Sequence, residues 1–214
     1  MARAWRPESP IMKALARVFD LILLNMLFIL TSIPVVTVGA SLSAMHYVLL
    51  RMARNEEGYI IKPYFKAFKD NFRQATCVWI IIMLFGGALF ADYHFLDKLP
   101  EEYRSLISGV LVAVAIVWLS TIVYIFPLIA RFENSLREIM KNVFVVSLVF
   151  FVRTIAMVAI LVGCGYLYYN LPLRATPVLL LFGFSIPGLL MAYLYTPILK
   201  KMEATGQIDT EENQ

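Results

Sequence analysis

Apolar runs alternate with short charged segments along the whole chain. The runs cover residues 18–33, 35–50, 75–91, 105–130, 143–169 and 176–199. A helix needs about 20 largely apolar residues to cross the hydrocarbon core of a bilayer, and most of these runs approach or exceed that length. The run at 35–50 is the short one, and it carries Thr37, Gly39, Ser41, Ser43 and His46. It reads as either a short second span or one arm of a re-entrant hairpin. Pro34 follows Thr31-Ser32-Ile33 and predicts a turn, because the residue before a proline is driven out of the helical region. Ala40 and Ala44, one turn apart, permit close approach of another helix. Pro187-Gly188 falls in the middle of the last run and predicts a kink or break there. The expected fold class is all-α, a polytopic transmembrane helical bundle of about six spans, or four to five plus a short hairpin. Residues 1–202 form the one expected domain, and the polar stretch 203–214 reads as a disordered cytoplasmic tail.

The charges between the runs orient the bundle. Arg3, Arg6, Lys13 and Arg17 lead in, and Arg51, Arg54, Lys62, Lys66, Lys69 and Arg73 crowd the next connection. If 35–50 returns the chain to its starting side, both clusters share one face with Arg131, Arg137, Lys141, Lys200 and Lys201. Only Lys98, Arg104 and Arg174 then lie opposite, beside the acidic Asp92, Asp97, Glu101 and Glu102. Cytoplasmic loops carry the excess of Lys and Arg, so both termini are expected in the cytoplasm of a multi-pass bacterial plasma-membrane protein.

Composition agrees with this picture: 60% of the 214 residues are hydrophobic and 16% charged, where soluble domains run near ~45–50% and ~25%. The net charge of +4 is spread over the flanks of the runs, which argues against nucleic acid as a partner. The run at 18–36 exceeds the ~7–15 residues of a signal-peptide core and reads as an uncleaved span. Cys77 and Cys164 both lie in apolar runs and support no disulfide framework. Two Cys and two His suggest no metal site, and no cofactor is expected. No HExxH, GxSxG, phosphate-loop or dinucleotide motif occurs, so no enzyme is expected.

Two constellations stand out. The first is intramembrane: Asp20, Asn25, Thr31, Thr37, His46 and Arg153, with Ser32, Ser41, Ser43 and Thr154 beside them. Arg153 falls about ten residues into its run, roughly 15 Å at the helical rise, and a charge at that depth needs a partner or water. Asp20 is the one acidic residue within an apolar run; Asn25 and the carbonyls freed near Pro34 are the alternative acceptors. The set reads as a polar cavity for a small ligand or as interhelical glue. His46 alone suits packing or an interface better than a proton relay. The second constellation lies at 62–73. Phe65, Phe68 and Phe72 share one helical face, with Lys62, Lys66, Lys69 and Arg73 around them. This predicts a cytoplasmic amphipathic helix at the membrane surface, docking anionic lipid or a cytoplasmic protein. Asp92, Tyr93, His94, Tyr166, Tyr168, Tyr169 and Asn170 would gather near the outer face as an aromatic belt, or as a sugar-binding group.

The block Leu30-Thr31-Ser32-Ile33-Pro34-Val35-Val36-Thr37-Val38-Gly39-Ala40-Ser41, then Glu56-Glu57-Gly58-Tyr59 and Phe65-Lys66-Ala67-Phe68-Lys69-Asp70-Asn71-Phe72, resembles the YesL family of bacterial integral membrane proteins. That resemblance implies a plasma-membrane protein with no assigned activity and no catalytic residues to carry over. Family members are associated with carbohydrate uptake and breakdown. The function it implies is a non-enzymatic accessory component of carbohydrate uptake or sensing, partnered by membrane lipids and carbohydrate ABC transporter components. The alternative is a stand-alone solute-binding or transport protein with a polar intramembrane cavity around Arg153.

Overall fold

Backbone polar groups that enter lipid must find partners within their own segment, and this chain meets that demand with helix. The computed structural model describes residues 10–204 apart from 57, 99, 133, 134, 173 and 175, and the described residues contain no strand. The helices are α1 (Pro10–Ser32), α2 (Val38–Ala53), α3 (Ile61–Asp70), α4 (Phe72–Phe95), α5 (Glu101–Arg131), α6 (Leu136–Val149), α7 (Phe151–Asn170), α8 (Thr176–Phe182) and α9 (Ser185–Ala204). Short 3-10 turns occupy Val35–Thr37 and Leu96–Lys98. Five helices are long and apolar enough to cross a membrane, or six if α8 and α9 count as one bent span. The large apolar side chains at Leu84, Phe90, Leu106 and Val152 are exposed on α4, α5 and α7, as lipid-facing residues would be.

α2 is the centre of the bundle, packed against α1, α3, α4, α5 and α9. Its small and weakly polar residues, Gly39, Ala40, Ser41, Ser43 and Ala44, are all buried. The ambiguity of 35–50 in the sequence has this cause: the segment is solvated by other helices rather than by lipid. The turn between α1 and α2 rests on the first third of α4. Trp79 donates its indole N–H to the Val35 carbonyl at 2.9 Å, and some 24 Å of α4 continues beyond that point at the helical rise. The α1–α2 hairpin is thus shorter than the α4–α5 pair, with Ile33, Val35 and Val36 exposed at its tip.

The fifth and sixth apolar runs are not single helices. The run at 143–169 breaks at Phe150, where φ −107° and ψ 40° leave the helical region. Its first part belongs to α6, which starts at a capping box between Ser135 and Glu138. α6 packs on α5 with Ile139, Val143 and Val146 buried at helical spacing. Arg153 therefore stands in the first turn of α7, not ten residues into a span. The last run breaks at residues 183–184, with a bend of 41° between α8 and α9. Pro187 has no N–H to give to the carbonyl four residues earlier, so the ladder fails at Gly183, ahead of the proline itself. The Gly183 carbonyl accepts instead from the Tyr168 hydroxyl.

α9 continues through Ala204, so Glu203, assigned to the tail, is a bundle residue; 205–214 lie outside the described residues. Its carboxylate accepts from Arg131 Nε at 3.0 Å and Arg54 Nη2 at 3.1 Å, tying the C-terminal ends of α2, α5 and α9 together at one basic pole. All three side chains are mostly buried. Glu203→Gln removes the anion shared by two guanidinium groups and is expected to cost about 2 kcal/mol. A fall in the midpoint of thermal unfolding in detergent checks this; an unchanged midpoint contradicts it.

Candidate functional site

The polar residues singled out inside the bundle do not converge on one cavity. Three of them, Asn25, Thr37 and Thr154, are spent on the backbone at helix breaks. Asn25, fully buried on α1, bridges the break between α8 and α9. Its Nδ2 donates to the carbonyls of Leu180 at 2.7 Å and Leu179 at 3.2 Å. Its Oδ1 accepts from the N–H groups of Phe184 at 2.8 Å and Ser185 at 3.0 Å. One amide thus caps the end of one helix and the start of the next. Thr154 does similar work at the α6–α7 break, donating toward the carbonyls of Ser147 and Phe150, both at 3.1 Å, with the Tyr124 hydroxyl 3.0 Å away. Thr37 closes the α1–α2 turn through the carbonyls of Thr31 at 2.6 Å and Pro34 at 2.7 Å.

His46 and Tyr195 form a buried pair across α2 and α9, with Nδ1 2.9 Å from the hydroxyl. Arg153 does not meet Asp20 or Asn25. Its Nη1 reaches the Leu194 carbonyl at 3.4 Å, on α9. Of the outer tyrosines, Tyr168 turns inward to Gly183, while Tyr93, Tyr166 and Tyr169 stay exposed.

α3 is amphipathic as the sequence indicates, but its buried face is centred on Tyr64 and Ala67, not on the phenylalanine stripe. Tyr64 is fully buried and its hydroxyl lies 2.6 Å from Thr31 Oγ1, in the last turn of α1. Burial pushes the Tyr64 phenol up to about 12, so it stays protonated and hydrogen-bonded at any ordinary pH. Phe68 is half-buried and stacks edge-on against Phe72 at 5.5 Å. Phe65 and Phe72 are each 38% exposed, and Lys62, Lys66, Lys69 and Arg73 all face outward. A one-residue bend at Asn71 joins α3 to α4.

A cavity of about 890 Å³ opens at the basic pole between α1, the end of α2 and the start of α3. Lys13, Arg17 and Asp20 line it from α1, Arg51 from α2, and Asn55, Glu56 and Tyr59 from the connection to α3. Of the intramembrane set, Asp20 alone is on its wall; Asn25, Thr31, Thr37, His46 and Arg153 are not. Arg17 donates to the Asn55 side chain, and Arg51 pairs with Glu56 at 3.3 Å. Asn55 itself caps α2 at φ 58°, the left-handed conformation that asparagine tolerates better than most residues. The sequence held a signal for this site: positions 13, 17 and 20 share one helical face. They read separately, as flanking charge and as an intramembrane acid. Among the described residues no group of three or more His, Cys, Asp or Glu side chains could hold a metal ion.

Residues 21–93 match the family model described as protein of unknown function, DUF624. That segment runs from α1 through the hairpin and α3 into α4, and so contains Asn25, Gly39, Tyr64 and Trp79. The chain is 24% identical over 192 residues to the uncharacterized protein YesL of Bacillus subtilis (strain 168), covering 87% of this chain and 88% of that one. No solved structure matches the chain. The family match over residues 21–93 and the relative over most of the chain make it similar to the YesL-like proteins, a family of unknown function, and its membrane-length helices agree with that likeness.

Proposed function

We propose that the protein acts by contact, as a non-enzymatic accessory component embedded in the plasma membrane, with α3 as its docking element at the inner leaflet. The observation that carries this reading is the anchoring of α3. Tyr64 is locked against Thr31 in the α1–α2 hairpin, so Lys62, Lys66 and Lys69 with Phe65 form a fixed cationic and aromatic surface. A helix that only skimmed the headgroups would need no such buried anchor. The inward orientation follows from the gathering of Arg and Lys at the pole shared by α2, α5 and α9. A carbohydrate ABC transporter component as the partner is supported by the resemblance to the YesL family alone.

The alternative, solute binding centred on Arg153, has less behind it. Arg153 stands at the start of α7, with a backbone carbonyl in reach, and is absent from the wall of the cavity at the basic pole.

The test is affinity capture of the chain from membranes in mild detergent. Uptake-system components should co-purify with the native chain and be lost with Phe65→Glu plus Lys66→Glu, whose thermal midpoint should stay native because both side chains are exposed. A cysteine at position 66 should react with an impermeant reagent only in opened cells. Capture of no transporter component by the native chain overturns the docking reading, and labelling in intact cells overturns the orientation.

A further inference from the structure

We infer that the cavity at the basic pole is a binding site for an organic phosphate that carries hydroxyl groups. Its volume of about 890 Å³ falls within the ~300–1,000 Å³ of ordinary ligand pockets. The charges on its wall are arranged for a ligand rather than for one another. Arg51 and Glu56 satisfy each other at 3.3 Å. Arg17 is held only by the neutral side chain of Asn55, and Lys13 and Asp20 make no hydrogen bond or ion pair among the described residues.

Lys13 and Arg17 lie one turn apart on the face of α1 that lines the cavity. Two cations at that spacing can share the oxygens of one phosphate, with Arg17 aligned by Asn55. Asp20 lies three residues deeper, about 4.5 Å along the helix. A carboxylate only accepts hydrogen bonds, so it repels a second phosphate and calls for donors at that end of the ligand. Hydroxyl groups next to the phosphate meet the requirement. Tyr59, 91% exposed at the rim, offers a ring face against which a small polyol could lie.

The same chemistry occurs in a phosphatidylglycerol headgroup and in free glycerol 3-phosphate. This site is separate from the outward surface of α3 and stands whether or not α3 docks a partner.

The experiment uses the full chain purified in detergent. Equilibrium dialysis measures labelled glycerol 3-phosphate, and native mass spectrometry scores phosphatidylglycerol retained from mixed vesicles with phosphatidylcholine. Binding in the first arm alone assigns a soluble ligand, and in the second alone a lipid; both outcomes support the site. Lys13→Gln, which breaks no contact, should weaken binding about tenfold, and Arg17→Gln at least as much. Lys141→Gln, exposed on α6 and outside the cavity, should leave it unchanged. Asp20→Asn should tighten inorganic phosphate while erasing the preference for glycerol 3-phosphate over methyl phosphate. Binding in neither arm, or equal losses from Lys13→Gln and Lys141→Gln, overturns the site. Phosphoethanolamine binding tighter than glycerol 3-phosphate overturns the assignment of hydroxyl donors.

Discussion

Asn25→Leu is expected to lower the unfolding midpoint of the detergent-solubilised protein by about 10 °C, the largest effect of any single polar substitution. Leucine keeps the fork at Cγ and removes every hydrogen-bonding atom, although it is the larger side chain. Asn25 serves two carbonyls and two N–H groups at the α8–α9 break. Leucine would leave them unpaired inside the bundle, where water cannot replace the amide. A buried unsatisfied group costs about 1–3 kcal/mol. Partial rearrangement of the break would return some of this, leaving a loss of about 3–4 kcal/mol, at roughly 2–4 °C per kcal/mol for a chain of this size. Asn25→Asp separates the two halves of the job. It still accepts from Phe184 and Ser185, and its charge suits the N-terminus of α9, but it loses the donors to Leu179 and Leu180. An intermediate midpoint is expected. A midpoint within 2 °C of native for Asn25→Leu would mean that the break is satisfied some other way.

Gly39→Val should come next. An added Cβ would lie 2.2 Å from the Ala75 carbonyl oxygen and 2.6 Å from Trp79 Cβ. Both are parts of α4 that cannot swing aside, so α2 itself must move. Overpacking of this kind costs about 1–3 kcal/mol, and occasionally more; the upper part of that range applies here because the first obstacle is backbone. Separation of the two helices also stretches the Trp79–Val35 hydrogen bond. In a chain with Trp5 and Trp118 changed to Phe, the emission of Trp79 should shift along with the loss of stability. Gly87→Ala is the control, because its added Cβ meets nothing within 4 Å. It should stay within about 0.5 kcal/mol of native. A native midpoint for Gly39→Val would show that α2 and α4 do not approach as closely as described.

These two residues mark where reading the chain succeeds and where it stops. The block around Pro34 predicts a turn, and the turn is there. Pro187 predicts a failure of the last helix, and the helix fails one turn upstream, at the carbonyl that proline cannot serve. The cationic helix expected at 62–73 is present only as far as Asp70, with Phe72 and Arg73 in α4, and its anchor is Tyr64 rather than the phenylalanines. The Ser135–Glu138 capping box marks the start of α6 inside a segment that reads as a charged connection, and the apolar run at 143–169 masked the break at Phe150. Hydropathy is blind to such a break because lipid-compatible residues continue across it.

Partners distant in sequence were out of reach. Asn25 meets residues 179–185 and Arg54 meets Glu203, and no local pattern announces either pair. The polar residues of the spans were visible as a set, but whether they converge on a ligand or disperse to mend the backbone depends on where each helix breaks. The cavity at the basic pole likewise exists only once α1, α2 and α3 are side by side.

The chain by itself determined that it is helical, that most of its helices are apolar enough for lipid and where its basic residues cluster, because the bilayer imposes length, polarity and charge rules on each segment separately. The packed bundle decided which helix sits at the centre, where the spans break and what each buried polar group does. Those outcomes rest on hydrogen bonds and close contacts between segments up to 160 residues apart, and such interactions have energies only when the segments meet.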